Sequence, residues 1–474
     1  MAAPDTTLSL DPRRRGRSGA SGPEPYVQLA LDCSRPLAGS TRYSLAHVDS
    51  VDFGRAPARS FRLVDEAGTR RMSIGLADDW ISKTHARLSR VGDNWLIQDL
   101  HSKNGTVVNG SVVERALLAP GDVIELGRTL FLFGEVPATT EHAERVVDDT
   151  QLTAALPGLP TWLPALARAF SGLEAIAHSP VAVVIQGESG TGKELVARAI
   201  HQVSRRTGSM LALNCAAISE KLVESELFGY RKGAFTGADE DRPGVFRAAD
   251  RGTLLLDEIG DLHEQAQAAL LRVLQEQEVL PVGATRPIKV DVRVVAATQV
   301  ALKDLVTQGR FRGDLYARLA GYVLEVPPLR DRREDLGLLI GTILRRLAPD
   351  RADRVTFSVP AARTLYAYRW PLNVRELEQA LRAALVLSAG RSIELEHLPD
   401  DVRPAALGAA HPSDQTRKPA RTEEDSGRRE QLVDLLRQHF GNVSAVARTL
   451  GKTRAQVHRW IRHYALDVHG FRRR

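Results

Sequence analysis

Val183-Val-Ile-Gln-Gly-Glu-Ser-Gly-Thr-Gly-Lys-Glu194 passes from an apolar run through a glycine-rich turn into a helical pattern. The order is strand, loop, helix. Glycines at 187, 190 and 192 let backbone N–H groups converge on phosphate oxygens, and the following helix N-terminus adds partial positive charge there. Lys193 can reach the β- and γ-phosphates of a nucleotide. Gly187, Glu188, Ser189, Gly190, Thr191, Gly192, Lys193 and Glu194 are therefore the expected ATP contacts. Glu194 stands where the strict phosphate-loop pattern has Ser or Thr, so Mg2+ ligation falls to water or Asp257.

The surrounding chain suits such a loop. Between about Leu163 and Pro327 helical stretches alternate with apolar runs at Val181–Gln186, Met210–Leu213, Thr253–Leu256 and Val290–Ala297. That alternation predicts an α/β domain with a mainly parallel sheet and helices on both faces. Gly252-Thr-Leu-Leu-Leu-Asp257-Glu258 reads as an apolar strand that delivers two carboxylates to the edge where open α/β sheets bind ligands. Asp257 is the expected Mg2+-associated acid and Glu258 the base that polarises the attacking water. Residues 328–400 read as all-helical.

The same domain contains Glu224-Ser-Glu-Leu-Phe-Gly-Tyr-Arg-Lys-Gly-Ala-Phe-Thr-Gly-Ala238. With these motifs the stretch from Val181 to Pro399 resembles the sigma-54-dependent enhancer-binding proteins of bacteria, a branch of the AAA+ ATPases. The resemblance implies that Gly233, Ala234, Phe235, Thr236, Gly237 and Ala238 form a loop that touches sigma-54, with Phe235 and Thr236 making the contact. It implies that Asn214 holds the catalytic Glu until the nucleotide state changes. In Phe311-Arg-Gly-Asp-Leu-Tyr-Ala-Arg318 it marks Arg318 and Arg312 as arginine fingers for a neighbouring subunit, where a guanidinium stabilises transition-state charge. A salt bridge to Asp314 is the plainer use of the same arginines. In Trp370-Pro-Leu-Asn-Val-Arg375 it marks Arg375 as the lid arginine that senses nucleotide. Three positions depart from the family pattern: Gln299 stands for the usual Asn, Leu372 for the usual Gly, and Pro157–Ser179 lacks the usual Gly-x-Ser opening.

Towards the C-terminus, Asn442 to Tyr464 reads helix, turn, helix, with the break at Leu450-Gly451. Thr453, Arg454, Gln456, His458, Arg459 and Arg462 suit a recognition helix in a DNA major groove. The segment resembles the Fis-type helix-turn-helix that ends these activators. Residues 428–474 hold eleven Lys/Arg against three Asp/Glu, a net +8, while the whole chain carries +6. The basic surplus therefore sits in this segment, as nucleic-acid binding requires.

From Tyr26 to about Glu135 short strands and Asn-Gly turns predict a β-sandwich. Gly54-Arg55, Ser82-Lys-Thr-His85, Ser102-Lys-Asn-Gly-Thr106 and Asn109-Gly110 resemble a forkhead-associated (FHA) domain, a phosphothreonine reader. Arg55 and Lys83 would supply charge, Ser82 a donor to phosphate, and Asn104 a clamp on the peptide backbone. His85 is expected to be structural. A sandwich that serves only for docking or oligomerisation is the plainer alternative.

The chain of 474 residues is expected to divide into a disordered start (1–24), an FHA-like sandwich (25–135), a linker (136–160), an AAA+ core (161–327), a helical lid (328–400), a second linker (401–427) and the helix-turn-helix (428–474). No apolar stretch of 18 residues occurs, and the early arginines are followed by no apolar segment, so neither a membrane span nor a secretory signal is expected. Cys33 and Cys215 lack metal-ligand spacing and fit a reducing cytoplasm. The resemblance implies an ATP- and Mg2+-dependent activator that forms a hexamer-like ring, binds upstream enhancer DNA as dimers, and remodels the closed complex of the sigma-54 RNA polymerase holoenzyme. Its sandwich would take a phosphothreonine protein, such as a Ser/Thr kinase. The alternative is a phosphopeptide-binding, DNA-associated regulator or scaffold that does not act through sigma-54.

Overall fold

The computed structural model describes residues 23–66, 68–137, 146–152, 154–217, 222–403 and a few positions between 435 and 450. Residues 23–403 fall in one compact unit; the second unit begins at Gly408. The helix-turn-helix reading, with Thr453, Arg454, Gln456, His458, Arg459 and Arg462, lies outside the described residues, as does the start of the chain to residue 22.

The ATPase sheet is parallel and five-stranded, in the order Met210–Asn214, Thr253–Asp257, Arg293–Thr298, Val183–Gln186, Tyr322–Glu325. Its central strands are apolar because both faces are covered: Val183, Val184 and Ile185 are buried, as are Leu254 to Leu256 and Val294 to Ala297. Helices Pro164–Ile176 and Lys193–Ser204 pack one face and Glu264–Glu276 the other. Four strands match the expected apolar runs. The fifth, Tyr322–Glu325, was not expected; its burial alternates, as an edge strand's does. Arg293 looks out of place in a buried strand. Its guanidinium bonds the Ala177 and Ile176 carbonyls at the end of the first helix, where the last carbonyls have no intrahelical donor.

The lid consists of helices Leu336–Leu347, Val359–Ala367 and Asn373–Leu387. Ser358 caps the second, its side chain accepting from Ala361 N.

Residues 24–136, with Val146–Asp148, form the expected sandwich, of a seven-stranded and a six-stranded sheet. Phe53 and Phe131 meet edge to face between the sheets, with ring centroids 5.2 Å apart. The long interval between Arg55 and Ser82 folds into an edge hairpin, Ser60–Glu66 with Thr69–Leu76, whose second strand runs parallel to Ser50–Arg55. The expected 136–160 linker contains structure. Val146–Asp148 adds a strand beside Thr41–Ser44, and Leu156 is buried with the ATPase helices.

The sandwich is also fused to the lid. In Thr129–Val136, Phe131 and Phe133 face the sandwich interior, while Leu130 and Leu132 join the lid core with Ala30, Leu31, Cys33 and Val123. One hydrophobic core thus spans both. Val123–Leu126 is buried at every position for that reason.

Candidate functional site

The loop after Val183–Gln186 turns at Gly190 (φ +77°) and Gly192 (φ +102°), conformations that favour glycine, and Gly192 is the N-cap of helix Lys193–Ser204. Lys193 Nζ lies against this loop, donating to Gly187 O at 2.8 Å and Glu188 O at 3.2 Å. Burial lowers its pKa, while Glu258 and Asp257 pull it up. Those two acids stand at the end of strand Thr253–Asp257, which is separated from Val183–Gln186 by Arg293–Thr298, so the lysine and both carboxylates meet at the C-terminal edge of the sheet. Glu258 occupies the left-handed region (φ +51°), which turns its side chain out of the strand line. Its Oε2 accepts from Gln299 N at 3.3 Å, and burial raises its pKa.

The lid closes on this loop. Val374 N donates to Gly190 O at 3.0 Å, Asn373 Nδ2 to Ser189 O at 2.9 Å, and Arg375 Nη1 to Ser189 Oγ at 3.2 Å. Gly190 has a second reason to be glycine, because a Cβ there would collide with Leu372 O. Leu372 itself sits at φ −101°, so glycine is not needed at that departure from the family pattern. Arg330 pairs with Glu188 at 2.5 and 2.8 Å; these bonds, then one from Asn373, hold the Glu188 carboxyl down at about 2.

Several expected residues are placed differently. Glu194 does not face the loop: its Oε1 takes both donors of Arg198, one turn on, leaving only its backbone for a phosphate. Asn214 pairs in register with Asp257, but its Oδ1 accepts from Ala216 N. In this conformation it caps its own turn, and Glu258 is held from Gln299 instead. Gln299 has an exposed side chain and contributes its backbone N–H. Arg312 forms the salt bridge to Asp314, at 2.7 Å. Arg318 donates to Leu274 O at 3.2 Å and lines a hollow with Val181, Val292 and Gly321, residues that precede three of the strands. It therefore lies at the opposite sheet edge from its own phosphate loop.

Residues 233–238 form a compact loop with Gly233 and Gly237 at φ +82° and +101°. Gly233 N bonds Ala238 O at 2.8 Å, and Phe235 is 40% exposed with its ring against Tyr230. A short neck carries the loop: Gly229–Tyr230 pairs with Arg242–Pro243, and Asp241 ties back to Arg231 and Lys232 N.

In the sandwich, Arg55, Ser82, Lys83 and Asn104 are brought together. Arg55 N donates to Ser82 O at 3.0 Å, and a Cβ at Gly54 would collide with Lys83 O. Ser82 Oγ accepts from Lys103 N at 3.0 Å and Asn104 Nδ2 donates to Trp80 O at 2.7 Å. His85 is buried; Nδ1 accepts from Ser82 N and Nε2 meets Gly105 O, so it joins the two loops. Burial lowers its pKa.

Sequence reasoning missed Arg332, whose Nη2 donates to Thr191 O at 2.7 Å, and the buried Asp335. Their only signal is the density of charge in Arg330-Asp-Arg-Arg-Glu-Asp335, which reads as a solvated turn.

Residues 162–325 match the sigma-54 interaction domain, 330–415 the AAA+ ATPase lid domain, and 51–127 the FHA domain. The chain is 43% identical over 340 residues to transcriptional regulatory protein ZraR of Klebsiella oxytoca, covering 71% of this chain and 75% of that protein. It is 43% identical over 296 residues to regulatory protein AtoC of Escherichia coli (strain K12), covering 62% and 64%. Among solved structures, NtrX from Brucella abortus in complex with ADP matches with a TM-score of 0.49 at 31% identity, covering 65% of this chain and 70% of that one. An AAA+ ATPase module preceded by an FHA domain, in a chain this similar to ZraR over three quarters of that regulator's length, places the protein in the family of sigma-54-dependent transcriptional regulators.

Proposed function

We propose that this protein hydrolyses ATP to drive the loop at 233–238 against sigma-54 and so convert a closed promoter complex to an open one. The observation that carries the proposal is Phe235, an exposed aromatic held out on a short neck by the same domain that holds the phosphate loop.

ATP would enter against Gly187–Lys193. Lys193 would leave the carbonyls of Gly187 and Glu188 for the phosphates, a better partner for a cation. Glu258, with its raised proton affinity, would orient the attacking water and accept its proton. Among the described residues no group of three or more His, Cys, Asp or Glu is placed to hold a metal ion. One strand-end carboxylate, Asp257, suits Mg2+ bound chiefly by the phosphates, where it would neutralise charge on their oxygens. Arg375 would sense the nucleotide from the lid. Arg318, at the far edge of the sheet, would complete the site of a neighbouring subunit in a ring; Arg312 would have to release Asp314 first.

Thr453, Arg454, Gln456, His458, Arg459 and Arg462 would hold the machine to upstream DNA, and the 428–474 charge supplies the phosphate attraction. Arg55, Ser82, Lys83 and Asn104 would bind phosphothreonine on a partner. A cytoplasmic location suits these partners; among the described residues no helix is long and apolar enough to cross a membrane.

Thr236→Ala tests the assignment. ATP hydrolysis is expected to persist while promoter opening fails. Loss of both activities together would make the loop a structural element and overturn it.

A further inference from the structure

The segment Arg330–Asp335 leads from the ATPase sheet into the lid, and its side chains go to two different places. Arg330 and Arg332 go to the phosphate loop, at Glu188 and Thr191 O. Arg333 and Glu334 go to the sandwich. Arg333 Nη1 donates to Gly121 O at 2.9 Å. Glu334 accepts from the Tyr26 hydroxyl at 2.8 Å, and its carbonyl accepts from Gln28 Nε2 at 2.9 Å. Two successive 3-10 turns, Leu329–Asp331 and Arg333–Asp335, turn neighbouring side chains about 120° apart, so one short peptide serves both partners.

We propose that Arg332 is a positioning residue of the ATPase reaction and that the FHA sandwich holds it in place. The chemistry lies in one peptide unit. The carbonyl of Thr191 and the N–H of Gly192 are opposite ends of a single plane. A donor that fixes the carbonyl from behind fixes the direction of the N–H in front, and Gly192 N–H is part of the phosphate cradle. Arg332 is suited to this: it is 7% exposed, and its planar guanidinium cannot swing out without breaking the packing around it. Its place depends on its neighbours. Arg333 and Glu334 are bonded to sandwich residues, and Asp335 anchors the end of the segment, accepting from Trp162 N at 2.6 Å and Thr161 Oγ1 at 2.7 Å. Trp162 is itself bound to the sandwich, since its Nε1 donates to Ser40 Oγ and its carbonyl accepts from Arg42, both at 2.9 Å. The sandwich lies directly on the lid at Gly337, where a Cβ would collide with Ala30 O. A displaced sandwich would therefore release Arg333 and Glu334, loosen Arg332 and leave the Gly192 N–H unaimed. This rests on the ATPase assignment above.

The experiment measures ATP binding, with a fluorescent ATP analogue, and steady-state hydrolysis for the full chain and its variants. The cradle acts on bound ATP and transition state alike, so its loss raises KM more than it lowers kcat. Arg332→Gln is expected to raise KM for ATP about tenfold with kcat changed less than threefold, and Arg332→Lys, which keeps a charged donor, to recover part of the loss. Gly337→Val touches neither the nucleotide loop nor the acids, yet is expected to raise KM in the same direction. Combined with Arg332→Gln it should add nothing further. Hydrogen exchange at Phe357, whose lid N–H donates to Cys33 O of the sandwich, reports whether the sandwich has lifted. A lifted sandwich with wild-type KM overturns the proposal. If Gly337→Val fails to fold, or folds with its sandwich still seated, Tyr26→Phe with Gln28→Leu removes both bonds to Glu334, and an unchanged KM there overturns it equally. A wild-type chain that neither binds nor hydrolyses ATP would instead overturn the function proposed above.

Discussion

Arg363 donates Nε and Nη2 to the two carboxylate oxygens of Glu125, each at 2.6 Å, joining lid helix Val359–Ala367 to sandwich strand Val123–Leu126. Glu125 is 3% exposed and Arg363 32%, so the pair sits at the rim of the shared core. Tyr366 OH to Ala30 O and Phe357 N to Cys33 O, at 2.9 and 2.8 Å, reinforce the join. The FHA domain is a fixed wall of the lid.

Arg363→Ala would leave the Glu125 carboxylate buried without its partner. Losing one member of a buried pair costs about 3–5 kcal/mol, and the partial exposure of Arg363 places this case near the lower figure. Urea denaturation should show a loss of about 3 kcal/mol. Replacing both residues by apolar ones of similar size should restore most of it. A loss below about 1 kcal/mol would mean that water screens the pair.

Burial pushes the Asp335 carboxyl up to about 6, against the hydrogen bonds from Trp162 N and Thr161, which pull it down. In the unfolded chain its pKa is about 4. The folded state therefore binds this proton more tightly. The stabilising contribution is fully present below about pH 4 and is lost as pH rises through about 6. Asp335→Asn should flatten the dependence of the urea midpoint on pH across that window. An unchanged slope would contradict the assignment.

Glu258→Gln keeps the shape of the site and removes the base. Hydrolysis should fall by roughly 100- to 10,000-fold while ATP binding is retained, measured by phosphate release and by nucleotide titration. Asp257→Asn should instead weaken the dependence on Mg2+. Equal effects of both variants on binding alone would move the catalytic assignment away from Glu258.

Ser82→Ala should weaken a phosphothreonine peptide by roughly tenfold or more, the worth of one charge-assisted hydrogen bond, and leave the unphosphorylated peptide unchanged. Gly54→Ala should do at least as much without removing a polar group, because its Cβ would collide with Lys83 O. Isothermal titration with matched peptides checks both. Wild-type affinity for Ser82→Ala would place the phosphate elsewhere.

The parts legible in the sequence were those set by local pattern. Val183-Val-Ile-Gln before a glycine loop, and Thr253-Leu-Leu-Leu before Asp257-Glu258, announce buried parallel strands and what they carry. Ser82, His85 and Asn104 were legible because loop residues with polar side chains carry the FHA pattern. The fusion of sandwich and lid was not, because it depends on strands distant in sequence. Its trace was present: Leu130-Phe-Leu-Phe is apolar at every position, whereas a sandwich strand with one wet face alternates. Glu194 and Asn214 were placed by position in a motif, and motif position does not decide a rotamer; Arg198 and Ala216 N offered closer partners. Tyr322–Glu325 is four residues long with polar ends, too short for its period to stand out.

Promoter melting tests ATP-driven remodelling by this protein most directly. This protein, sigma-54 holoenzyme and a sigma-54 promoter with its upstream site are mixed with ATP or with a non-hydrolysable analogue, and single-stranded thymines are detected by permanganate. Melting around the start site is expected with ATP, none with the analogue, and none for Glu258→Gln. An ATP-hydrolysing protein that leaves the promoter closed, or melting that proceeds with the analogue, would contradict ATP-driven remodelling.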